Sequence, residues 1–307
     1  MSLFKLQNKT IQPIKESSFD LEKDLQKIVE ENIEKIFGLK FISSEFIIHG
    51  LRIDTLAYDP ETQSFVIIEY KRDRSQSVVD QGFAYLSLLL NNPDSFILEY
   101  AKKTNIPIQD IKLDQSQSRI MFLASSFNMH QQTAINFKDI PIELWEVKKY
   151  EEGILEFDQL KSPDASASIM NVTKNKTIEA VSREVKKYTI DDHFKKGWED
   201  SKEIYEVLSD RILELDSRIQ EKFNKYFIGF KIGFYNICAI NTRKSKLNIS
   251  LVRVDKNDLK DPDKKVKDIP WRKLAWGKQC RIEITSKDEI DSAIFLIKQV
   301  YARFYKL

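Results

Sequence analysis

Asp54, Glu69 and Lys71 are the residues of this sequence whose types and spacing could do chemistry together. Glu69 and Lys71 stand one residue apart in FVIIEYK (65–71), an apolar run with strand character, so both leave one face while Ile68 and Tyr70 leave the other. Asp54 lies in LRIDTLAYD (51–59), and DPET at 59–62 is a turn that folds the two runs into an antiparallel hairpin. Counting back from turn residues 60–61 pairs Asp54 with Ile67, which has the parity of Glu69 and Lys71, so all three are expected on one face. Charges on a strand that should be buried are costly when bare. A divalent cation answers that cost: Mg²⁺ takes one or two carboxylates and keeps waters and a substrate phosphate in its other positions. Such an ion neutralises charge developing on a phosphodiester and lowers the pKa of a bound water. Lys71 could position or deprotonate that water and stabilise the transition state. The expected cofactor is Mg²⁺ or Mn²⁺. Gln81 and Tyr85 follow one helical turn apart, on one helix face.

The elements that must position these groups are legible along the first half of the chain. LEKDLQKIVEENIEKIF (21–37) has helical spacing, with Asp20 as a candidate cap and Gly38 as a stop. FISSEFII, LRIDTLAYD and SFVIIEYK are three successive strands, and SVVDQGFAYLSLLLNN is an amphipathic helix capped at Ser77. A second helix is expected over 95–104, then strand SRIMFLASSF, helix FNMHQQTAINF and strand IELWEVKKY. The order is α-β-β-β-α-β-α-β.

The set RID…IIEYK…QGFAY resembles the PD-(D/E)XK nuclease superfamily, in which an Asp and then an (Asp/Glu)-X-Lys lie on a central hairpin; the core order is also that superfamily's. More narrowly, LEKDLQKIVEENIEKIF, SEF, GLRIDTLAYD, VIIEYK and DQGFAYL resemble the nuclease domain of the NucS (EndoMS) type, strongly over 20–90 and weakly to 150. Ile53 stands where the superfamily name expects proline. The resemblance implies that Asp54 and Glu69 are metal ligands and Lys71 the catalytic lysine. It makes Glu22 an outer metal or water contact, and it places Gln81 and Tyr85 along the cleft, touching the scissile strand. It implies nuclease activity on DNA, with RNA left open.

A fold class follows: an α/β restriction-endonuclease-like domain (1–160), with a mixed sheet flanked by helices, a linker (161–187) and a smaller α+β domain (188–307). In the latter, helix-forming TIDDHFKKGWEDSKEIYEVLSDRILELD precedes strand runs YFIGFKIG, FYNICAINTR, LNISLVRV and RIEIT, and a last helix is capped at Ser286. This region resembles an uncharacterised domain that recurs behind such nuclease-like modules. Its basic loop KDPDKKVKDIPWRKLAWGKQCR carries Lys264, Lys265 and Arg272 among Trp271 and Trp276, a pattern suited to phosphates and unpaired bases. Arg72 and Arg74, directly after the ExK strand, are further candidates for phosphate contact.

The net charge of +2 over 307 residues gives no global basic signal, so any nucleic-acid surface must be local. Two distant cysteines and three scattered histidines argue against a disulfide framework and against a Cys or His metal cage. With no signal-like or membrane-spanning run, a cytoplasmic location is expected, and a homodimer is left open. The competing reading is a catalytically inactive nucleic-acid-binding or scaffold protein that keeps the nuclease fold.

Overall fold

The computed structural model describes residues 3–17, 19, 22–71, 77–137, 139–160, 167–269 and 277–305. These group into two compact units, one of Met1–Glu34, Leu39–Asp59 and Gln63–Lys187, the other of Lys35–Gly38, Pro60–Thr62 and Tyr188–Leu307.

The first unit opens with strands β1 (Leu3–Gln7), β2 (Thr10–Ile14) and β3 (Glu16–Ser17), which sequence reading did not anticipate. Helix α1 (Glu22–Phe37) then buries Leu25, Val29 and Ile33, a stripe spaced by four. Strands β4 (Lys40–Ile48), β5 (Leu51–Asp59) and β6 (Ser64–Lys71) follow as an antiparallel meander. Helices α2 (Val78–Asn91) and α3 (Pro93–Thr104), β7 (Arg119–Ala124), the short α4 (Met129–Ala134), β8 (Ile142–Tyr150), β9 (Leu155–Leu160) and α5 (Lys176–Glu184) complete it. The seven-stranded sheet runs β3-β8-β7-β6-β5-β4, with β9 on β8. It is mixed, because β6–β7 and β7–β8 are parallel and their other neighbours antiparallel.

Strand β6 sits in the middle and is buried on both faces from Ser64 to Tyr70, which is why its sequence is nearly continuous in apolar residues. On one face, Leu56, Tyr58, Phe65 and Ile67 join Phe83, Leu86, Leu89 and Phe96 of α2 and α3 in one core. On the other, Glu30 of α1 accepts a hydrogen bond from Thr55 Oγ1 at 2.6 Å. Gly82 lets α2 approach the sheet: a Cβ there would stand 2.8 Å from Ile142 Cδ1 and 3.2 Å from Ile120 Cγ2. Ser77 caps α2 as expected, its side chain accepting from Asp80 N at 3.2 Å. The expected cap of α1, Asp20, lies outside the described residues.

Three sequence expectations change. The segment 161–187 is no linker from 167 onward: Ile169, Ile178, Val181 and Val185 are buried in the first unit's core, and α5 packs on α2. Its small polar composition hid an apolar stripe of only four residues. The β5–β6 turn spans four residues, 60–63, since Asp59 pairs with Ser64. That moves the register by two and keeps the parity, so Asp54 stands opposite Glu69 rather than Ile67. The helix expected across FNMHQQTAINF is confined to Met129–Ala134.

The second unit contains α6 (Ile190–His193), α7 (Glu199–Leu213), β10 (Gln220–Phe223), β11 (Ile228–Ile232), β12 (Tyr235–Arg243), β13 (Lys246–Val252), β14 (Lys267–Asp268), β15 (Gln279–Ile284) and α8 (Ile290–Phe304). Its sheet is antiparallel throughout, in the order β10-β11-β12-β13-β15-β14. Leu208, Ile212, Ile294 and Ile297 of α7 and α8 share a core with Ile240, Ile249 and Ile282. Cys238 and Cys280 are free buried thiols there. Among the described residues no helix is long and apolar enough to cross a membrane.

Candidate active site

The hydrogen-bonded ladder between β5 and β6 ends at Thr55–Ile68, and the site begins where it stops. Asp54 N donates to Glu69 Oε1 at 3.1 Å, and Tyr70 N donates to Asp54 Oδ2 at 3.2 Å. Two carboxylates thus replace the carbonyls that would continue the ladder. Glu69 is 3% exposed. Burial and the neighbouring Asp54 carboxylate push its pKa up to about 8, against the lowering effects of the Asp54 N–H, Lys71 and Arg52. Burial also raises Asp54, opposed by the Tyr70 N–H and the charges of Arg52 and Lys71. The pair therefore holds less negative charge than two free carboxylates, and gaining a cation would restore it.

Lys71 closes the strand on the same face as Glu69, its Nζ 5.8 Å from the centre of the Phe122 ring, whose residue pairs with Glu69 on β7. From α2, Gln81 Nε2 donates to Glu69 Oε2 at 3.1 Å. Gln81 Oε1 is buried without a hydrogen-bond partner, an orphaned acceptor of the kind a bound ion or its water satisfies. The atoms here that could face a cation, the Asp54 and Glu69 carboxylate oxygens and Gln81 Oε1, are hard oxygens, which fits Mg²⁺ or Mn²⁺ with water and phosphate completing the shell.

Asp54, Glu69, Lys71 and Gln81 are brought together as the sequence suggested, and Tyr85 joins them, its hydroxyl accepting from Gln81 Nε2 at 3.4 Å. The Tyr85 ring is buried, and its hydroxyl also donates to Arg52 O at 2.8 Å, which buttresses β5. Glu22 is exposed in the first turn of α1, and among the described residues no three His, Cys, Asp or Glu side chains gather to hold an ion. Lys265 is taken up by Glu289 at 3.0 Å, and Lys264 is exposed in the same loop. Arg72, Arg74, Arg272, Trp271 and Trp276 lie outside the described residues.

Sequence reading missed three groups. Gln26, one turn after Glu22 on α1, donates to Asp54 O at 3.0 Å and to Glu30 Oε1 at 3.0 Å. Glu30 in turn holds Thr55, whose hydroxyl is 3.3 Å from Tyr70 OH. The third is Arg52, which alternates with Asp54 on β5, a spacing that was available as a signal.

Residues 190–302 match a family described as a domain of unknown function, DUF5655. An uncharacterised protein of Haemophilus influenzae is 38% identical over 301 residues, covering 97% of this chain and 99% of that protein. Two solved structures align with 44% of the chain, an EndoMS complex with double-stranded DNA at 14% identity and a repair endonuclease from Pyrococcus abyssi at 15%, each with a TM-score of 0.23. The aligned part spans 60% of each of those chains. A likeness of that size decides neither fold nor activity.

Proposed function

This chain belongs to one family with the uncharacterised Haemophilus influenzae protein, and from that premise we propose that it is a metal-dependent nuclease hydrolysing phosphodiester bonds, with DNA as the substrate. The observation that carries the reading is the direct opposition of half-buried Asp54 and buried Glu69 at the end of the β5–β6 ladder, with Lys71 on the same face. A pair meant only for stability would be expected to gain from ionisation, whereas burial raises both groups and the Asp54 carboxylate raises Glu69 further.

Asp54 and Glu69 would hold the ion. When bound, it supplies charge neutralisation at the phosphate and a more acidic water. Gln81 fixes the Glu69 carboxylate through Nε2 and keeps its own amide oxygen, Oε1, available to water. Lys71 orients the attacking water and stabilises the negative charge that builds on the phosphoryl oxygens. The water oxygen bonds to phosphorus, one bridging P–O bond breaks, and the water's proton ends on the departing alcohol, leaving a phosphomonoester. The scaffold holding this geometry is Gln26 on the Asp54 carbonyl and Tyr85 on the Arg52 carbonyl.

The test is cleavage of labelled single-stranded, duplex and flapped DNA with Mg²⁺ or Mn²⁺, by the wild type and by Lys71→Ala. Cleavage that disappears in the variant and in EDTA is expected. Binding that is sensitive to salt, with no cleavage under any of these conditions, would replace the enzyme with an inactive nucleic-acid-binding protein.

A further inference from the structure

Glu45, Asp54 and Glu69 fall in one row across β4, β5 and β6, since Ser44 pairs with Thr55 and Phe46 with Ile53 on either side of the Glu45–Asp54 position. Glu45 holds this place with a φ of +50° inside a strand. A left-handed conformation costs a non-glycine residue roughly 1 kcal/mol or more, and it persists only where its surroundings favour it. Here the carboxylate is drawn to two cations, Arg52 Nη1 at 3.9 Å and Lys23 Nζ at 3.6 Å. Both contacts are at the long end of the ion-pair range, and the side chains of Arg52 and Lys23 are 58% and 77% exposed. The Arg52 backbone, in contrast, is fixed, its carbonyl held by Tyr85 OH at 2.8 Å. A fixed Cα carries an exposed guanidinium beside one buried and one half-buried carboxylate, Glu69 and Asp54, loosely engaged by a third acid.

Resting on the nuclease reading above, we propose that Arg52 is the residue that binds the substrate phosphate at this site, and that Glu45 occupies its guanidinium in the free protein as a stand-in for that phosphate. A guanidinium matches a phosphate bidentately, which an ion pair at 3.9 Å with Glu45 does not approach. A phosphate arriving opposite Asp54 and Glu69 would meet repulsion from both. Arg52, which already lowers the pKa of each, is the charge placed to offset it. Substrate then displaces the Glu45 carboxylate, and the strain at its backbone belongs to the unliganded state.

The experiment measures two quantities on Arg52→Ala, Arg52→Lys and Glu45→Gln: cleavage with Mg²⁺, and binding of a fluorescent single-stranded DNA oligonucleotide in Ca²⁺ and in the Lys71→Ala background. Arg52→Ala should weaken binding by about 10- to 100-fold and lower the salt slope by about one charge. Arg52→Lys should restore part of the affinity, and Glu45→Gln should tighten binding by about 2- to 10-fold through loss of the competing carboxylate. A melting curve confirms that each variant folds, which its exposure favours. Unchanged binding in Arg52→Ala, or weaker binding in Glu45→Gln, overturns the proposal. Weakened binding by Arg52→Ala with no cleavage by the wild type removes the hydrolytic reading and leaves Arg52 as a phosphate ligand.

Discussion

Asp54 and Glu69 are locked to each other's strands in a reciprocal way: Asp54 N donates to Glu69 Oε1 at 3.1 Å, and Tyr70 N donates to Asp54 Oδ2 at 3.2 Å. The two carboxylates cannot move apart to relieve their repulsion without breaking the hydrogen bonds that close the β5–β6 pairing. Pre-organisation and electrostatic strain are therefore the same feature.

Glu69→Gln should separate activity from stability. The amide keeps the shape and can still accept from Asp54 N, and Gln81 can turn its orphaned Oε1 toward the new NH₂. Cleavage should fall by at least about 100-fold, the scale of losing one essential charged group. Without metal at pH 8 the variant should melt a few degrees higher than wild type, about 1 kcal/mol more stable. A lower melting temperature would mean that Glu69 serves a structural ion pair.

The same carboxylate sets a pH dependence. Its folded pKa of about 8 lies above the ordinary glutamate value of 4.5, so the folded protein holds the proton more tightly than the unfolded chain. Its stabilising contribution is complete below about 4.5 and is lost as pH rises through about 8. Metal-free protein should accordingly lose melting temperature between pH 5 and pH 9 by several degrees more than the Glu69→Gln variant does. Mg²⁺ should stabilise more at pH 9 than at pH 6 and release protons on binding, measurable by calorimetry in two buffers of different ionisation enthalpy.

Gly82→Ala tests how closely α2 must sit. Alanine gains about 0.5–1 kcal/mol of helix propensity, but overpacking against a filled core costs about 1–3 kcal/mol. A Cβ at 2.8 Å from Ile142 Cδ1 forces a shift in a buried side chain, so the net change should be a loss of roughly 1 kcal/mol. Because Gln81 is the adjacent residue, cleavage should fall as well, by about 10-fold for a displacement well below 1 Å. Full activity with reduced stability would show that Gln81 does not depend on the seating of α2.

The sequence carried the core of this site because strand alternation is insensitive to a register error of two. Placing the turn at 60–61 rather than 60–63 named the wrong partner for Asp54 yet kept the right face. The motif likewise pointed to Gln81 as a site residue, though not to its bond with Glu69. What was hidden depends on tertiary contact: Gln26 meets Asp54 only once α1 packs on the sheet, and the charges of Glu45 and Arg52 mean little until β4 and β5 are paired. The helix Lys176–Glu184 was obscured for another reason, its two buried positions, Ile178 and Val181, being too few to stand out in a polar segment.

Tyr85 offers the sharpest contrast between the sequence and the structure. A tyrosine lining a cleft would stack on a base, and its ring would carry the effect, so Tyr85→Phe would bind and cleave as wild type while Tyr85→Leu would not. The ring is instead buried, and the hydroxyl donates to Arg52 O while accepting from Gln81 Nε2. Removing it leaves a part-buried carbonyl short of a donor at a cost of about 1 kcal/mol, and loosens the strand that carries both Arg52 and Asp54. Tyr85→Phe should therefore lower the melting temperature by a few degrees and cleavage by about 3- to 10-fold, with oligonucleotide affinity in Ca²⁺ changed less than by Arg52→Ala. Wild-type cleavage by Tyr85→Phe, together with loss of binding in Tyr85→Leu, would return Tyr85 to the substrate surface.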